Sequence, residues 1–132
     1  MIQLAFDKKT VVHLIVSLIV VLILDAIWLG AVSRKLKIYP TFNDAKPGYG
    51  LMAWGSLAFA HSVIITDTIE EGFAAGCMIG FVSYGVFNGT ELALRDDWRK
   101  HPLTSICDWC WGTLMNGGVG ALIAYLRLKV IK

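Results

Sequence analysis

Four apolar stretches divide the chain: Val11–Val32, Gly50–Thr66, Gly72–Leu94 and Leu103–Leu126. A bilayer core about 30 Å thick is crossed by roughly 20 residues of helix. At the helical rise the first stretch is about 33 Å long. The second is short but still within the spanning range. Pro40 and Pro47 punctuate the first connection, and Pro102 stands where a fourth helix can begin. The second connection, TDTIEEG, is short and acidic, which makes the second and third helices a tight antiparallel pair. The pattern predicts an all-α membrane protein, one domain over 1–132, built as an antiparallel bundle of four transmembrane helices.

Lys8 and Lys9 precede the first apolar run, as the basic residues of a signal peptide do. That run is longer than a typical signal core and carries Asp25, so it reads as a retained span. Charged residues make up 17% of the chain, against about 25% in soluble domains. A net charge of +2 is too small to suggest a nucleic-acid partner. Three cysteines provide no disulfide framework.

Four spans place both termini on one face, side B, and the connections at residues 33–49 and 95–102 on the other, side A. Side A carries Arg34, Lys35, Lys37, Lys46, Arg95, Arg99 and Lys100; side B carries Lys8, Lys9, Arg127, Lys129 and Lys132. Seven against five leans toward side A as the inner face.

The polar residues inside the spans then fall into register. Counting from the ends of the apolar stretches, Asp25 lies about 10 Å in from side A, Asp108 about 8 Å, Asn88 about 9 Å and Glu91 about 5 Å. Three helices therefore deliver these groups to one slab of the membrane. Tyr84, Asn88, Glu91 and Arg95 form one helical stripe. Gly72, Gly76 and Gly80 lead into it as a small-xxx-small face for close packing. Asp108, Gly112, Asn116 and Gly120 form a matching stripe on the fourth helix, and Asp25 shares a face with Trp28. A charge at the centre of a span costs about 2.5–3.5 kcal/mol on insertion scales, so these stripes should face inward. Asp25-x-x-Trp28 recurs as Asp108-x-x-Trp111 on a helix running the other way. All five tryptophans fall in the side A half, as an interfacial belt or as walls of an acidic mouth.

The segments LDAIWLG, YGVFNGTELA and DWRKHPLTSICDWCWGTL, taken in order, resemble a family of small membrane proteins known as domain of unknown function 2177. The resemblance implies four membrane helices and no established activity. The family's third-helix pattern resembles YGxYDxTN; here its Asp position is Asn88 and its Asn position is Glu91. The resemblance thus implies that one carboxylate has moved a turn toward side A.

Three functional readings are open. The first is a pocket of Asp25, Trp28, Tyr84, Asn88, Glu91, Asp108 and Trp111 that binds a proton, a cation or a polar lipid headgroup, or supplies general acid and base. No nucleophile or metal motif accompanies it, so no reaction class, metal or cofactor is assigned. The plain alternative is that these groups only tie helices together, at roughly 0.6–2 kcal/mol per hydrogen bond. The second reading is an accessory subunit of a larger membrane assembly, with other subunits or further copies of itself as partners. Polar or small residues facing outward at mid-membrane depth would mark it. The third is thiol redox chemistry at Cys107-x-x-Cys110.

Overall fold

The computed structural model describes residues 3–4, 6–33 and 47–130. Arg34, Lys35, Lys37, Pro40 and Lys46 of the first connection, and Lys132, lie outside the described residues. The chain is mostly helical. Helix α1 runs Lys8–Ile27 and continues as a widened turn over Trp28–Ser33. Helix α2 is Pro47–Val63, α3 is Ile69–Leu94, α4 is the short Asp96–Arg99 and α5 is Pro102–Tyr125, extended by a second widened turn to Val130.

The helix limits follow local chemistry more than hydropathy. Helix α1 begins three residues before the apolar run because Asp7 caps it. The Asp7 carboxylate accepts from the Thr10 backbone N–H at 2.9 Å, and the Thr10 hydroxyl accepts from the Asp7 N–H at 3.0 Å. Helix α2 ends at Val63 rather than Thr66. There Ile64 and Ile65 extend and pair antiparallel with Gln3 and Leu4 (strands β1, Gln3–Leu4, and β2, Ile64–Ile65). Thr68 caps α3 by accepting from the Glu71 N–H at 3.1 Å. Pro102 opens α5, where its missing N–H costs nothing. Residues 96–99, within the connection at 95–102, form a helical turn that tucks Trp98 edge-on against Phe87 at 5.7 Å.

Among the described residues, two helices, Lys8–Ala31 and Ile69–Leu94, are long and apolar enough to cross a membrane. The outward residues of α1 are Val11, Val12, Ile15, Ile19, Ile23 and Ile27, an unbroken apolar stripe. The interior is the reverse: Thr10, His13, Ser17 and Asp25 are buried on the inner face of the same helix. Such a molecule is polar inside and apolar outside, as a lipid solvent requires. Its apolar core is a small cluster of Val21, Leu57, Met115, Val119 and Ile123.

The tight antiparallel pair is α3 with α5, their backbones in contact, and not α2 with α3 as the short connection between those two suggests: the glycines of α3 face α5. A methyl group at Gly76 would strike the Asn116 carbonyl, and one at Gly80 the Gly112 carbonyl; Gly72 meets Gly120 and Ala124. At Gly112 the space a side chain would need is filled by the Tyr84 ring. The missing Cβ at Gly112 therefore lets Tyr84 lie across α5 and reach α1.

Candidate functional site

Toward side A, all four long helices converge on Asp25. Its Oδ2 accepts from the Trp54 indole N–H at 2.7 Å and from the Tyr84 hydroxyl at 3.1 Å. Its Oδ1 lies 3.2 Å from the Tyr84 hydroxyl and accepts from the Trp111 indole at 3.2 Å. Asp108 is held in the same layer. Its Oδ1 accepts from the Trp28 indole at 3.0 Å and its Oδ2 from the Asn88 amide at 2.9 Å. Asp25 is 5% exposed and Asp108 3%, so neither carboxylate gains appreciable hydration.

The two Asp-x-x-Trp turns exchange partners. Trp28, from the helix of Asp25, donates to Asp108; Trp111, from the helix of Asp108, donates to Asp25. The two indoles stack at 5.0 Å between centroids with their planes 6° apart. Antiparallel geometry produces this. Three residues forward on α1 is three residues back on α5, so each aspartate faces the other turn's tryptophan. The recurrence in the sequence is thereby one physical unit.

Trp28, Tyr84, Asn88 and Trp111 all touch one of the two carboxylates. Glu91 is placed apart from them. Its carboxylate pairs with Arg95 at 3.0 Å, one helical turn on, and Arg95 also grips Asp97 at 2.7 Å. The Glu91 side chain is about one-fifth exposed, and a guanidinium one turn away holds it. Gly72, Gly76, Gly80, Gly112 and Gly120 lie along the α3–α5 contact. Cys107 and Cys110 are free thiols, Cys107 half-buried and Cys110 exposed.

Two contributors escape a reading by sequence. Trp54 makes the shortest bond to Asp25, though its neighbours three and four residues away on that helix face, Gly50, Leu51, Leu57 and Ala58, are all non-polar; only its depth near side A hinted at the contact. Deeper in the bundle, His61 Nε2 lies 2.8 Å from Asn116 Oδ1, both residues buried, and the Asn116 amide donates to the Gly112 carbonyl at 2.7 Å. With that amide orientation, His61 carries its proton on Nε2. Toward side B, Arg127 donates to His13 Nδ1 at 3.1 Å and lies 3.5 Å from Asp7. Polar side chains thus occupy three levels of the interior.

Chemically, the Asp25 layer opposes two forces. A carboxylate in a low-dielectric interior is costly. Converging N–H and O–H donors stabilise the ionised form. Indoles donate and cannot accept, so of the described groups bonded to Asp25 only the Tyr84 hydroxyl can also accept a hydrogen bond.

No group of three or more His, Cys, Asp or Glu side chains among the described residues is arranged to hold a metal ion. No match was found among curated proteins, and none among solved structures. One family does match: domain of unknown function 2177, described as a predicted membrane protein, aligns with residues 10–126. With a match over nearly its whole length, and with an exterior made for lipid, the chain belongs to this family of membrane proteins.

Proposed function

We propose that the four long helices all span the bilayer and that the Asp25–Asp108 pair is a proton-binding site within it. One observation carries the reading. Asp25 is buried among four helices, and its bonded partners are two indoles and a phenol, all neutral. A second carboxylate, Asp108, lies across the stacked indoles. Two negative charges in one desolvated layer repel, and a shared proton removes one of them. Tyr84, bonded to both oxygens of Asp25, is the group through which a proton reaches or leaves that carboxylate. A lipid headgroup at Asp25 would first have to displace three donors. The apolar exterior of α1 supports lipid contact along that helix.

The test is a count of protons taken up by the protein in lipid nanodiscs as the medium is acidified, followed with an indicator dye. Wild type should take up about one proton more than Asp25→Asn, with both samples equally helical. Equal uptake would leave the pair as a structural tie and end the proposal.

A further inference from the structure

Toward side B, one guanidinium ties three helices together. Arg127 lies in the widened turn that ends α5, and only 9% of its side chain is exposed. It donates to His13 Nδ1 on α1 at 3.1 Å and to the Ser62 carbonyl on α2 at 3.4 Å. Its carboxylate partner is Asp7 Oδ2 at 3.5 Å. The other oxygen of Asp7 caps α1.

This contact fixes the state of His13. A guanidinium donates and cannot accept, so Nδ1 must offer its lone pair and the ring proton sits on Nε2. Neutral imidazole makes the bond. Imidazolium would turn a donor and a positive charge toward a cation, and His13 is fully buried, away from screening water. The charged groups that act on His13 are Arg127 from the end of α5 and Asp7 and Lys9 from the start of α1. From α2 the same guanidinium meets the neutral Ser62 carbonyl. Two cations already face one carboxylate, which leaves no counter-charge for an imidazolium.

The chain before α1 is tied down at the same place. Gln3 and Leu4 pair with Ile65 and Ile64, and the Phe6 ring lies 6.1 Å from that of Phe59. An isolated pair of strands is marginal in water even when longer than two residues, and Phe6 is 75% exposed. Asp7, next along, joins this strap to Arg127. Ile64, the partner of Leu4, is also a wall of a cavity of about 10 Å³, room for one water, which His61 and Thr66 line as well.

We propose that His13, Arg127 and Asp7 form a proton-released latch that holds this strap on the side B end of the bundle. Opening takes up one proton at His13, so the open form gains as pH falls through the histidine range. The guanidinium then swings out toward water and the headgroups. His13 Nε2 and Arg127 Nε, both buried without a partner among the described residues, become hydrated. The strap loses its tie, Ile64 loses its partner, and the cavity opens toward side B. The latch stands at the opposite end of the bundle from Asp25, and it does not require the proton there.

The experiment is hydrogen–deuterium exchange of the full chain in nanodiscs at about pH 8 and about pH 5, with rates corrected for the intrinsic pH dependence of exchange. Protection over residues 3–4 and 64–65 should fall roughly tenfold or more in acid, while α3 and α5 around Gly76 keep theirs. His13→Asn retains a neutral acceptor that acid does not protonate, so its strap should stay protected at both pH values. Arg127→Gln removes the cation and should leave the strap unprotected at both. Asp25→Asn should behave as wild type here even if it loses proton uptake. Equal protection of the wild type at the two pH values would overturn the inference, as would a strap still protected in Arg127→Gln. So would an acid-induced loss that His13→Asn does not prevent, since that would assign the release to Asp7.

Discussion

Two parts of the α3–α5 contact are built by opposite means. Below the aspartate layer, Gly72, Gly76 and Gly80 press onto residues 112–124 with almost no side chain between them. At the layer itself the same helices carry Tyr84, Asn88, Asp108 and Trp111, and α1 adds Trp28 across the stack. The first region tolerates no added atom, because its neighbours are backbone. The second is a set of bonds, each of which can be removed singly. The comparison teaches that the glycines set the distance and the large polar side chains use it: Tyr84 reaches Asp25 because Gly112 leaves room for its ring.

The largest effect should come from the glycine region. Gly76→Leu puts a branched side chain into the Asn116 carbonyl and should exceed the ~1–3 kcal/mol typical of overpacking, seen as loss of folded protein in detergent. Gly118→Ala, where nothing lies within 4 Å of an added Cβ, is the control and should be neutral or slightly stabilising. A tolerated Gly76→Leu would break the comparison at its stronger side.

In the aspartate layer, Trp111→Phe keeps an aromatic ring on Trp28 but removes one donor to Asp25. About 1–3 kcal/mol of stability should be lost. Trp28→Phe should act alike through Asp108, and the exchange of partners requires that the two changes be non-additive. A double-mutant cycle should show about 0.5–3 kcal/mol of coupling; strict additivity would mean the two turns are independent.

The smallest effect lies outside the membrane. The hydrogen bond from Arg95 holds the Asp97 carboxyl below the usual carboxylate range. A depressed folded value adds stability above the ordinary carboxylate range, and that contribution fades as pH falls through the folded value. Arg95→Gln should return the Asp97 titration toward its ordinary range by carboxyl NMR, with little change in unfolding because the pair is exposed. An unchanged Asp97 titration would show that another group holds it.

Much of this was legible along the chain. The four apolar runs correspond to the four long helices, and the four-residue spacing of Gly72, Gly76 and Gly80 already describes a close contact. The limits of the helices were harder, because Asp7 and the Ile64–Ile65 pairing act locally and hydropathy does not register them. Depth alone placed Glu91 beside the aspartates, but depth says nothing of a competing partner, and Arg95 draws it off. The two Asp-x-x-Trp turns were visible, yet their exchange was not. It depends on the register of α1 against α5, which no single stretch contains.

The central claim is that Asp25 is a buried group that takes up and gives back a proton. Infrared difference spectroscopy of the protein in lipid, between alkaline and acidic buffer, observes this directly through the carbonyl stretch of a protonated carboxyl. The account predicts a band of a desolvated carboxylic acid that appears on acidification, vanishes in Asp25→Asn and shifts in Tyr84→Phe. A wild-type spectrum without that band, or a band that Asp25→Asn leaves untouched, would contradict it.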